Sequence, residues 1–238
     1  MRITFIGSSH GIPEPNRKCS CTMIEIKGRY YFIDMGTPAI DHLVTAGIPI
    51  DAVKGIFITH MHGDHTNGLI HFVDLISWYF KTSDPTIFLP NIECIKIIEN
   101  WLKVNQTSPR ELHYEEVQPG VIYNDGCLKV TAIQTLHSER SYAYFLEAEG
   151  KTILFTGDLK HPDKDFPLIA KERETDLIVC EGAHFYATDY LPHLRECKTK
   201  LIYVNHYQSK KIPSILQLAE DMGDIPVKLA YDGREIIL

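Results

Sequence analysis

No cysteine pair in this chain is spaced C-x-x-C, and the six cysteines, at Cys19, Cys21, Cys94, Cys127, Cys180 and Cys197, are too scattered for a disulfide scaffold. No apolar run approaches the roughly 18 residues of a membrane-crossing helix. The start, MRITFIGSSHG, has too short an apolar part for the core of a secretory leader. Reduced thiols, a cytoplasmic location and no membrane attachment are therefore the expectation. Basic residues are in deficit, with 24 Lys and Arg against 31 Asp and Glu and a formal net charge of -7. That balance offers no general attraction to long nucleic acid or to an anionic membrane. A small anionic substrate stays compatible with it, because two bound divalent cations would concentrate positive charge in one place.

Hydrophobic residues make up 44% of the 238 and charged residues 23%, enough apolar surface for a large core in a single domain, 1–238. The densest chemistry lies in residues 56–68, IFITHMHGDHTNG. There His60, His62, Asp64 and His65 follow directly on an apolar run that reads as a buried strand. Imidazole and carboxylate are the ligand types that hold zinc and similar divalent ions, and an open coordination position ionises water near neutral pH. In H-x-H both rings can point to one side, while Asp64 and His65 can turn to a second ion. A histidine-rich surface loop is the alternative, and so dense a set of ligand types before the Asn67-Gly68 turn weighs against it.

Strand and helix patterns alternate around this stretch. Residues 2–6 read as a strand entering the loop Gly7-Ser8-Ser9-His10-Gly11-Ile12-Pro13. Residues 21–26 and 30–33 read as a hairpin about Lys27-Gly28 that delivers Asp34, which can also cap a helix over 38–46. Helical spacing covers 69–80, where His71, Trp78 and Tyr79 read as core or surface. It returns over 92–104, with Ile95, Ile98, Trp101 and Leu102 facing inward, after a short strand at 86–89. The polar stretch 105–120, with Pro109, Pro119 and Gly120, reads as an excursion between two halves.

Strands resume at 128–136, ending in His137, at 142–148, and at 151–155 before Gly157-Asp158. A helix over 168–174, a buried strand at 176–180 and a helix over 190–197 follow. A strand at 201–204 then leads to His206, before a helix over 213–222 and a closing hairpin at 227–238 around Asp232-Gly233. The halves, about 1–104 and 121–238, echo one another: TMIEIKGRYYFIDMG against YFLEAEGKTILFTGD, and DAVKGIFITH against DLIVCEGAH. This is the pattern of an α/β four-layer αββα sandwich, two mixed β-sheets flanked by helices, with the site at their junction.

The block H-x-H-x-D-H after an apolar strand resembles the signature of the metallo-β-lactamase superfamily. Asp34, His137, Asp158 and His206 stand in the order of that family's remaining motifs. The GSSHGIP loop and the ending LAYDGREIIL resemble its ribonuclease Z branch. The resemblance implies a binuclear hydrolase in which His60, His62 and His137 hold one ion and Asp64, His65 and His206 the other. Asp158 would bridge the two, and Asp34 would support the site from behind. Zinc is the expected metal, with manganese or iron held by similar groups. His62 departs from the oxygen-reducing diiron branch, which has Glu there, and Asn205-His206 departs from true β-lactamases, whose second metal usually has a Cys ligand.

Transfer-RNA processing members of the branch carry a long RNA-gripping arm before the bridging Asp, whereas only 20 residues separate His137 from Asp158 here. Cys180-Glu181-Gly182-Ala183 also stands where those enzymes have His-Glu-Ala-Thr. The resemblance then implies a phosphodiesterase for a small nucleotide-like or cyclic phosphodiester. Asp64 and Asp158 would be its catalytic carboxylates, and His184 the candidate proton donor to the leaving group. Arg140, Ser141 and Tyr142 are candidate phosphate contacts, and His10 and His161 further candidates of the same kind. Cys19 and Cys21 read as packing rather than as a structural ion site. Lactone or thioester hydrolysis is the second reading, with a tRNA 3'-processing or non-catalytic member after it. A homodimer is left open.

Overall fold

Successive side chains of a strand point to opposite faces, and the inner strands of this chain are apolar on both, so each sheet must be covered twice. The computed structural model of the chain describes residues 1–108 and 110–238; Pro109, one of the breakers noted above, lies outside them. The strands are β1 (Arg2–Gly7), β2 (Cys21–Ile26), β3 (Arg29–Ile33), β4 (Val53–Phe57), β5 (Thr86–Leu89), β6 (His113–Glu116) and β7 (Gly120–Asn124). Then come β8 (Lys129–Thr135), β9 (Ser141–Ala148), β10 (Lys151–Phe155), β11 (Leu177–Gly182), β12 (Ile202–Tyr207), β13 (Val227–Leu229) and β14 (Glu235–Ile237). The helices are α1 (Ala39–Thr45), α2 (Gly63–Trp78), α3 (Cys94–Val104), α4 (Pro162–Asp165), α5 (Ile169–Glu172), α6 (Leu191–Leu194) and α7 (Ile212–Met222).

Two seven-stranded sheets result, in the orders β14-β1-β2-β3-β4-β5-β6 and β13-β12-β11-β10-β9-β8-β7. Their facing sides share one core of Ile3, Phe5, Ile24, Phe57, Tyr144, Phe155, Val179 and Tyr203. The opposite faces bury Met23, Phe32 and Ile56 under α1 to α3, and Leu154, Ile178 and Val204 under α5 to α7. Neighbouring residues such as Ile56 and Phe57 thus serve different cores, which is the period of two expressed as four layers. In each sheet four strands run parallel, β3 to β6 and β10 to β13. The connections leaving the carboxyl ends of parallel strands are where such sheets place ligands.

Four local expectations change. Residues 227–238 form no hairpin: β13 pairs parallel with β12, whereas β14 crosses to the other sheet and pairs antiparallel with β1. The intervening Asp232 carboxylate accepts from Ser8 N, Ser8 Oγ and Lys18 N at 2.8–3.0 Å and fixes the crossing. The polar stretch 105–120 contributes β6, an edge strand of the first sheet. On α3, Ile98 and Leu102 are buried but Trp101 is 53% exposed, because the helix lays a narrow stripe on the sheet and Trp101 falls beyond it. Finally, α2 starts at Gly63, six residues before its apolar spacing begins, so Asp64 and His65 lie in its first turn.

That turn is held by close backbone contact. Met35 N donates to His65 O and Gly68 N to Met35 O, both at 2.8 Å. A Cβ on Gly36 would stand 1.7 Å from Asp64 O, so only glycine fits. Gly36→Ala is expected to displace the first turn of α2 at a cost of ~1–3 kcal/mol or more, lowering both the melting temperature and the bound metal. Wild-type melting with full metal content would reject this packing.

Candidate metal centre

Six chain segments carry the site residues to one rim. Asp34 ends β3, His60 follows β4, Asp64 and His65 open α2, His137 follows β8, Asp158 follows β10, and His206 lies near the end of β12. The helix N-terminus favours a carboxylate at Asp64. Asp34 and His206 adopt left-handed backbone at φ 60° and 49°, a conformation disfavoured for residues with side chains that occurs where geometry is fixed by function. Before Asp158 the left-handed residue is Gly157, where a Cβ would lie 2.6 Å from Tyr142 O.

The structure brings all seven proposed ligands together. Asp158 Oδ2 lies 3.7 Å from His60 Nε2, 3.6 Å from His65 Nε2, 3.8 Å from His137 Nε2 and 3.4 Å from His206 Nε2. His62 Nδ1 stands 2.9 Å from His60 Nε2 and 3.2 Å from His137 Nε2. Asp64 Oδ2 is 3.4 Å from His65 Nε2 and 3.6 Å from His206 Nε2. Ligands bonded to one tetrahedral zinc at about 2.0–2.1 Å stand about 3.3 Å apart, which is the spacing found here. Three of the groups able to hold an ion are His60 with His62 and His137, His60 with His65 and Asp158, and Asp64 with His65 and His206.

Outer hydrogen bonds aim the rings. His65 Nδ1 is 2.7 Å from Asp34 Oδ2, His206 Nδ1 is 3.1 Å from Ser9 O, and His60 Nδ1 is 3.1 Å from Thr59 Oγ1, which in turn donates to Asp34. Each bond occupies Nδ1 and leaves Nε2 facing inward, the arrangement that orients metal-binding histidines. Asp34 therefore lies behind the ring of inward-facing nitrogens and does not cap α1, whose N-cap is Pro38 without a side-chain bond.

The donor set fits cations. His65 Nε2 is buried without a hydrogen-bond partner. Among the described residues no Lys or Arg comes within salt-bridge distance of Asp34, Asp64 or Asp158, and the nitrogens within that distance are all histidine ring nitrogens. Burial and the neighbouring His65 push His60 down to about 2, which keeps its imidazole neutral and able to take a cation. Burial alone would raise Asp158, but His206 and His65 hold it well below the usual carboxylate range. His65 moves upward despite its burial because Asp34 and Asp158 flank it; a proton there supplies the positive charge that a cation otherwise would.

His184 lies at the lip of this cluster. Its Nδ1 is 2.7 Å from Glu181 Oε2 and 3.7 Å from Asp158 Oδ2, and its ring centroid is 4.6 Å from that of His137. The Glu181 hydrogen bond raises its pKa above the ordinary imidazole value. Sequence reasoning missed Glu181, whose carboxylate also accepts from Leu159 N at 2.7 Å and from Ala183 N and His184 N. Its signals were an acid near the end of the otherwise apolar strand LIVCEG and its place in the segment that stands where related enzymes have His-Glu-Ala-Thr. Thr59, too, carried no sequence signal.

The other candidates are engaged elsewhere. Arg140 pairs with Glu116, Ser141 Oγ bonds within its own turn, and Tyr142 is buried. His161 caps α4, and the buried His10 accepts from Ile12 N. Cys19 and Cys21 belong to none of the groups able to hold a metal among the described residues. Trp78 and Tyr79 are exposed, and so is His71.

The family described as Anti-Pycsar protein Apyc1 matches residues 1–223. Ribonuclease Z of Listeria innocua is 30% identical over 98% of this chain and 77% of its own length. Among solved structures, the short form of human tRNase Z superposes with a TM-score of 0.78 at 19% identity, covering 100% of this chain and 99% of the other. A diphosphatase from the PhnP family gives 0.73 at 18% identity, covering 100% and 97%. No described helix is long and apolar enough to cross a membrane.

Proposed function

The chain belongs to the Anti-Pycsar protein Apyc1 family and, with its ribonuclease Z relatives, to the hydrolases of the metallo-β-lactamase superfamily, and from that footing we propose that it is a phosphodiesterase opening small cyclic-nucleotide-like substrates. His60, His62 and His137 would hold one zinc ion, Asp64, His65 and His206 a second, and Asp158 would stand between them. When bound, such a pair lowers the pKa of water and withdraws charge from a phosphoryl group.

The observation that carries the phosphodiester reading is His184, fixed by Glu181 beside Asp158 Oδ2. A ribose alkoxide leaves poorly unless it is protonated as the bond breaks. With Nδ1 turned to Glu181, His184 has Nε2 free to act. In the reaction a water oxygen would bond to phosphorus and release its proton to solvent, the P–O ester bond would break, and Nε2 would give its proton to the departing oxygen before regaining one from solvent. Asp64 and Asp158 keep the histidines around them in register and supply the negative charge the cations need. His60, His65, Asp158 and His206 form a buried floor, and His62 and His184 an exposed lip, so the substrate enters from the lip.

A lactone or thioester needs no such donor, which ranks that reading second. Long RNA ranks lower still, because a closed hairpin of β9 and β10 fills the interval between His137 and Asp158. Family membership supports a cyclic nucleotide as the substrate. The test is a panel of 3',5'-cyclic nucleotides, a thioester, a lactone and a precursor tRNA. Conversion of a cyclic nucleotide to its monophosphate as the fastest reaction is expected. Preference for the thioester, the lactone or the tRNA would overturn the proposal.

A further inference from the structure

The tripeptide Ala183-His184-Phe185 is gripped from two directions. From one side the Glu181 carboxylate accepts the Ala183 and His184 N–H groups, and it binds Leu159 N beside Asp158. From the other, Lys211 Nζ donates to Ala183 O at 2.6 Å and to Phe185 O at 2.8 Å, the two carbonyls flanking His184. Lys211 closes the 3-10 turn Ser209–Lys211, five residues after ligand His206. The loop carrying the imidazole is thereby tied both to the segment of Asp158 and to the segment of His206.

Lys211 is half-buried, and among the described residues no carboxylate lies within 4.0 Å of its ammonium group. The Tyr186 ring lies 5.7 Å away, and the charges of Glu181, Lys210 and Asp189 act on the ammonium from beyond ion-pair distance. Removing an ammonium from water without pairing it is costly, so its two carbonyl contacts are what this arrangement secures. An apolar side chain would leave both carbonyls short of a donor and free the loop to shift.

We propose that Lys211 is a positioning residue that sets where the His184 imidazole meets the leaving oxygen. The proposal rests on His184 as proton donor, and a shift of about 1 Å in such a group can cost about 100-fold. Lys211→Met is the test, read on a cyclic nucleotide, whose leaving group is an alkoxide, and on a 4-nitrophenyl phosphodiester, whose leaving group needs no donor. With the alkoxide, kcat is expected to fall about 10- to 100-fold. KM, metal content and the rate on the aryl ester should stay near wild type.

Combining Lys211→Met with His184→Ala should cost no more than His184→Ala alone. Equal losses on both substrates, or additive losses in the double variant, would overturn the assignment. Should Lys211→Met fail to fold, Lys211→Gln, which keeps one donor group, is expected to show a smaller loss confined to the alkoxide substrate. A uniform loss in that variant would overturn the assignment equally. If His184→Ala itself shows no dependence on leaving group, it is the donor reading that fails, and that result is separate.

Discussion

Asp158→Ala is expected to lower turnover at least about a thousandfold and to leave the protein with no more than one tightly held ion. Its Oδ2 lies within 3.8 Å of nitrogens from both halves of the site, His60 and His137 on one side and His65 and His206 on the other. Removing it takes away the shared ligand together with the negative charge that offsets two cations. A loss of about 4 kcal/mol of transition-state stabilisation corresponds to that thousandfold. The fold should survive, because Asp158 contributes to it through its backbone, where its carbonyl accepts from Thr135 Oγ1. Metal analysis beside kcat, with circular dichroism as the folding control, checks this. An unchanged rate with two ions bound would contradict a bridging role.

His184→Ala should cost about 10²- to 10⁴-fold on an alkoxide leaving group and far less on a nitrophenolate. The asymmetry is what matters, since a nitrophenolate departs unaided. The variant leaves Glu181 with its Leu159 and Ala183 N–H partners, so the buried carboxylate is not orphaned. A leaving-group series read by steady-state kinetics supplies the measurement. Parallel losses along the series would remove His184 from proton transfer.

How much of this was legible in the chain follows from how local each signal is. His60, His62, Asp64 and His65 are crowded into one turn. His137, Asp158 and His206 each end or follow an apolar strand run, so residue type and position coincide. The four layers were legible because the two halves echo one another, strand, Gly turn, strand and acidic residue in each, and the structure sends successive residues such as Ile56 and Phe57 to different cores.

What stayed hidden depends on distant backbone. Lys211 looks like any cation at a helix start until the carbonyls of Ala183 and Phe185 arrive beside it. Residues 227–238 have the local pattern of a hairpin, yet the edge of β1 offered β14 a better partner than β13 did. Periodicity showed that α3 has an apolar face but not how wide a stripe the sheet would cover, and Trp101 fell outside it. The first turn of α2 escaped because Asp64 and His65 occupy positions that apolar residues would otherwise mark.

Anomalous diffraction at the zinc edge, from crystals of the protein grown with zinc, tests the central claim most directly. Two peaks are predicted, one bounded by His60, His62 and His137 and the other by Asp64, His65 and His206, with the Asp158 carboxylate between them. A single peak, or peaks outside these seven side chains, would contradict it.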